Sequence, residues 1–212
     1  MPITLEQYSR TAVRSARDAM ALALRHHLEG LVFKLAGGTF KLATVFDEWP
    51  AYLDRYVPPC ACVLPNEWRY ADWSFTPKLL EDTWEVSGEP GFGLYKLSEI
   101  ETDFEISLRT NNPAERDALI EGIEESFVAP RVLMDDAQGP RYGLILQLPE
   151  YYGLAARFAL QSARVIDDEE RTMREQRDAV LTVSSQAPQV RVGPVYPLNL
   201  KIRLSIDGEE RS

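Results

Sequence analysis

The sequence predicts an α+β fold in which a mixed or antiparallel β-sheet packs against two main helices, at about 4–29 and 113–127, with a β-rich C-terminal half. Three observations carry this. Apolar residues recur at three- and four-residue steps near the N-terminus. A capped helical pattern opens at Asn112. Strict apolar/polar alternation returns in several short stretches, at Phe104–Leu108 and again at Leu198–Ile206.

The first helix is signalled by Thr4 and Gln7, which form a capping box, and by Leu5, Tyr8, Ala12, Ala16, Ala19, Ala23 and His27 as its apolar stripe. At about 100° per residue, Arg10, Arg14, Arg17 and Arg25 gather on one flank as a basic ridge. Leu31–Leu35 and Thr39–Phe46 then read as a hairpin about Gly37–Gly38, because paired glycines supply the positive φ that tight hairpin turns need.

Between about 47 and 90 all four tryptophans occur, Trp49, Trp68, Trp73 and Trp84, punctuated by Pro50, Pro58, Pro59, Pro65 and Pro77. This reads as a loop-rich region with short strands. The second helix has Asn112 as N-cap, Pro113 in its first turn and Glu115 as the capping-box acid. Its expected buried face is Leu119, Ile120, Ile123 and Phe127, opposite an acidic ridge of Asp117, Glu121, Glu124 and Glu125. A β-rich extension follows over about 132–208, with a hairpin expected from 132–134 and 142–148 about the turn Asp135–Pro140 and further strands at 158–166, 179–184 and 198–206. The whole chain, 1–212, reads as one domain.

Composition narrows the function classes. Acids outnumber bases 33 to 23, so the whole-molecule field repels phosphate backbones and disfavours tight nonspecific nucleic-acid binding. No run approaches the roughly 20 apolar residues of a membrane span. The first residues lack the basic-then-apolar pattern of a secretory signal, so the expected site of synthesis is the cytoplasm. Cys60 and Cys62 are the only cysteines; two residues apart in an extended segment they share a face, and they read as reduced, buried, small apolar residues, with half a metal site as the alternative.

Catalytic signals are weak. His26 and His27 are adjacent on a helix, and His27 falls at the edge of the apolar stripe. Gly88–Gly93 lacks the lysine or helix start of a phosphate loop and reads as a turn. Asp135–Asp136 and Asp167–Asp168 sit in hydrophilic turns with no accompanying motif. The expectation is therefore no enzyme, no cofactor and no metal. The tryptophans, with neighbouring tyrosines, read as core or as a partner-binding surface. The ridges, Arg10, Arg14 and Arg17 on one helix and Asp117, Glu121, Glu124 and Glu125 on the other, read either as solvated faces or as unlike surfaces through which copies could meet.

Ser98–Arg109 followed by Asn112-Pro113-Ala114-Glu115-Arg116-Asp117 and the helix to Phe127 resembles the central strand-then-helix of tailed-phage tail-terminator and tail-completion proteins. The leading helix, the hairpin and Pro59–Pro65 follow the same order, and Leu148–Tyr152 with Ala156-Arg157-Phe158 is similar to phage neck-region proteins. The resemblance covers about half the chain; the tryptophan-rich middle and the β-rich end are additions to the shorter members. It implies a structural virion protein of the tail or neck: a hexameric ring of this chain that caps the tail tube and meets tube, sheath and head-connector (stopper) proteins. DNA would pass through the lumen without specific binding, which suits an acidic wall. The alternatives are another phage joint (baseplate, collar or tail-completion subunit) or a non-phage adaptor with an aromatic pocket.

Overall fold

A computed structural model describes residues 14–48, 57–71, 77–82, 91–127, 143–166 and 177–195. Two helices and a curled, mixed sheet make up an α+β fold. The elements are α1 (Ala16–Gly30), β1 (Phe33–Leu35), β2 (Gly38–Phe40), β3 (Thr44–Phe46), β4 (Cys60–Ala71), β5 (Lys78–Asp82), β6 (Gly91–Arg109), α2 (Pro113–Phe127), β7 (Leu144–Leu148), β8 (Leu154–Val165) and β9 (Ala179–Val195). The sheet order is β3-β4-β6-β9-β8-β7, with β5 also on β6; only β3–β4 is parallel. β1 and β2 form a separate hairpin.

The centre is the β6–β9 ladder, which runs from Leu108↔Ala179 to Gly91↔Val195. Along β6, Ile100, Phe104, Ile106 and Leu108 face the core; Ala61 and Val63 of β4, Leu181 and Val183 of β9 and Phe158 of β8 complete that face. Both helices cover it. Met20, Leu24 and Leu28 of α1 and Leu119, Ile123 and Phe127 of α2 are buried there.

α2 opens as its sequence implies. Asn112 Oδ1 accepts from the Glu115 amide at 3.0 Å as an N-cap, while the Glu115 carboxylate reaches one residue beyond the expected capping-box donor and accepts from the Asn111 backbone N–H at 3.0 Å. Ile120 is only partly buried and flanks the seam. α1 departs from expectation. Its N-cap is Ser15, whose hydroxyl accepts from the Asp18 amide, so no continuous helix runs from 4 to 29; residues 1–13 lie outside the described residues. The buried stripe runs through Met20, Leu24 and Leu28, leaving Ala23 and His27 half-buried. Of the expected stripe, Ala16 and Ala19 are buried as read, and beyond them the buried face passes to Met20, Leu24 and Leu28.

Other expectations are corrected in the sheet. The turn falls one residue earlier than expected: Leu35 pairs with Gly38, so Ala36 and Gly37 form it, and the positive φ, 147°, is at Gly38, the first residue of β2. The hairpin's second strand, however, breaks after Phe40, and Thr44–Phe46 leaves to pair in parallel with Cys60–Cys62. The region 47–90 is not chiefly loop where it is described: β4 spans twelve residues, and a register shift between Pro65 and Trp68 absorbs the proline. Gly91 and Gly93 belong to β6 rather than to a turn. β9 continues past Ser184 through Pro188 and Pro194, positions where β8 no longer pairs with it, so the missing N–H groups cost no bond on that side. The expected strands at 132–134 and 198–206 and the acid pairs at 135–136 and 167–168 lie outside the described residues.

Gly122 sets the approach of α2 to β1. A Cβ there would stand 2.6 Å from Cδ1 and 3.0 Å from Cε1 of Phe33, whose ring is buried against Phe40. Gly122→Ala should therefore lose about 1–3 kcal/mol to overpacking, more than the roughly 1 kcal/mol of helix propensity it gains. Urea unfolding should give a lower midpoint than wild type. A midpoint above wild type would mean that the Phe33 ring yields freely.

His27 joins the helices from the other side. The Ser126 hydroxyl donates to the Ile123 carbonyl at 2.8 Å, so Nε2 of His27, 3.0 Å from the same hydroxyl oxygen, is its donor. Phe127 packs edge-on against the imidazole at 6.2 Å. Burial lowers the His27 pKa below the ordinary 6.5. Around pH 6 the folded state then binds fewer protons than the unfolded chain, so this contribution is fully present above about pH 6.5 and is lost as pH falls toward the lowered folded value. Stability measured from pH 7.5 to 5 should fall less steeply in His27→Gln than in wild type. Identical slopes would sink the assignment.

Candidate functional site: a charged helix face and a neutralised sheet face

The acid-rich stretch from Glu99 to Glu125 divides into two environments. On the sheet, away from the helices, Glu101, Asp103 and Glu105 project in line from β6. Arg69 Nε reaches Glu101 at 2.5 Å, the Ser184 hydroxyl donates to Asp103 at 2.8 Å and Arg177 reaches Glu105 at 2.5 Å. Lys96 pairs with Glu99. Side chains on a central strand have neighbours on both sides at about 4.8 Å strand spacing, so their charges meet partners.

On α2, Asp117, Glu121, Glu124 and Glu125 are all exposed. Asp117 pairs with its neighbour Arg116 at 2.9 Å, while Glu121, Glu124 and Glu125 have no cationic partner among the described residues. Their helix is held by the cap at one end and by the buried Leu119–Ile123–Phe127 seam, so the carboxylates stand on a fixed rod.

The basic ridge is not its counterpart. Arg14 precedes the N-cap and is not helical; it pairs with Glu150, and its amide also donates to the Glu150 carbonyl. Arg17 is half-buried and donates to the Pro65 carbonyl at 3.4 Å. Arg25 reaches Asp47 at 3.5 Å and Glu29 at 3.7 Å. Arg10 lies outside the described residues. These arginines fasten α1 to the β7–β8 turn and to the β3–β4 side of the sheet, so distant acids and a carbonyl already engage Arg14, Arg17 and Arg25.

Of the four tryptophans only Trp68 is described. It is 48% exposed on β4, edge-on to Tyr70 at 5.0 Å, level with Thr102. Trp49, Trp73 and Trp84 lie outside the described residues. Two concavities occur there, of about 250 and 320 Å³. Charged and polar side chains dominate both: Glu67, Arg69, Glu101 and Asp103 in the first, Arg14, Asp18, Arg25 and Asp47 in the second.

Cys60 and Cys62 share the sheet face turned from the helices and are buried. Burial pushes their thiols up to about 11 and about 12; for Cys60 the nearby Arg109 opposes this and Asp178 adds to it. Asp178 is itself tied to the Thr110 amide at 2.5 Å and hydroxyl at 3.0 Å. Among the described residues no three His, Cys, Asp or Glu side chains are grouped to hold a metal ion, and no helix is long and apolar enough to cross a membrane. Compared with protein-family models and with characterised proteins, the chain matches none.

A thiol held in its protonated form and shielded from solvent reacts slowly. With a chromogenic disulfide reagent at pH 8, both cysteines should stay unmodified in the native protein and both should react once urea unfolds it. Rapid native labelling of either one would contradict the burial described here.

Proposed function

We propose that this chain is a structural joint protein of a tailed phage, a tail-terminator or neck subunit that binds copies of itself, the tail tube and a head-connector ring. In that assembly α2 presents its carboxylates to the DNA channel. The observation that carries the reading is the contrast between the two charged faces: Glu101, Asp103 and Glu105 on β6 are engaged, and the three glutamates of α2, on a rigidly capped helix, have no cationic partner among the described residues. Three adjacent like charges repel one another and contribute nothing to folding, so their retention fits a role outside the fold. A wall of fixed negative charge repels phosphates and lets a duplex slide without sticking.

The strand-then-helix at Ser98–Phe127 supports the family reading, and Phe104 of the strand and Leu119 and Ile123 of the helix belong to one core. A baseplate, collar or tail-completion subunit would use the same surfaces at another place in the virion.

Glu121→Lys, Glu124→Lys and Glu125→Lys together should leave the fold intact, since all three side chains are exposed. Incorporated into particles, the triple variant should form rings and yet slow or stall DNA release, because lysines would bind the passing phosphates. Normal ejection and infectivity with the triple variant incorporated would refute the channel-facing assignment.

A further inference from the structure

We draw no further inference here: the strongest candidate, the cleft of about 250 Å³ on the sheet face turned from the helices, where Glu67, Arg69, Glu101, Asp103, Gln161 and Ser184 converge from β4, β6, β8 and β9, is an acid-rich patch in which Arg69 already engages Glu101 and Ser184 already engages Asp103, and nothing among the described residues shows what it would hold.

Discussion

The structure depends on one constraint: β6 and β9 are paired along nearly their full length, and only one face of that ladder is covered by helices. Because side chains alternate across a strand, this pairing assigns each residue of β6 to the core or to the open face. Ile100, Phe104, Ile106 and Leu108 go to the core; Glu101, Asp103 and Glu105 go to the other side. A slip by one residue would bury three carboxylates, each costing several kcal/mol once unpaired. The acids that look like surface decoration therefore also fix the register.

The same pairing explains why acidic residues in one stretch of sequence have two fates. Carboxylates on a central strand sit between neighbouring strands, and here those strands present Arg69, Ser184 and, just before β9, Arg177. Carboxylates on the outer side of a helix meet only their own turn, where α2 provides Arg116 for Asp117 and nothing for Glu121, Glu124 and Glu125. Surface pairs of this kind add little to stability in either place, about 0–1 kcal/mol. The consequence is in the field the molecule projects: the sheet is nearly silent and α2 is not.

What was legible in the sequence followed from rules that act within a few residues. α2 was legible to its ends, because a cap, a proline, a capping acid and a 3.6-residue period all agree. β6 was legible only over its last residues, since between Ser98 and Asp103 core positions are filled by serine and threonine, and the hydroxyl-bearing Ser98 and Thr102 hide the alternation. β4 and β9 were obscured by Pro65 and Pro188, which argue against a strand until the shift at Pro65 and the lapse of β8 at Pro188 are known. The acidic ridge was readable because no distant group among the described residues alters it. The ion pairs of the basic ridge were not readable, because Glu150 and Asp47, which engage Arg14 and Arg25, are remote in sequence.

That neutralisation bears on how copies of so acidic a chain could associate. With a net charge of −10 and its α1 arginines engaged internally, two molecules approaching at random repel. Salt screens this repulsion over about 8 Å at physiological strength, so it weakens encounter more than it weakens a formed contact. What holds a contact against it must act at short range and be indifferent to net charge. Backbone hydrogen bonds and burial of aliphatic side chains both qualify. Long-range repulsion combined with short-range attraction disfavours random aggregation and rewards only an aligned approach.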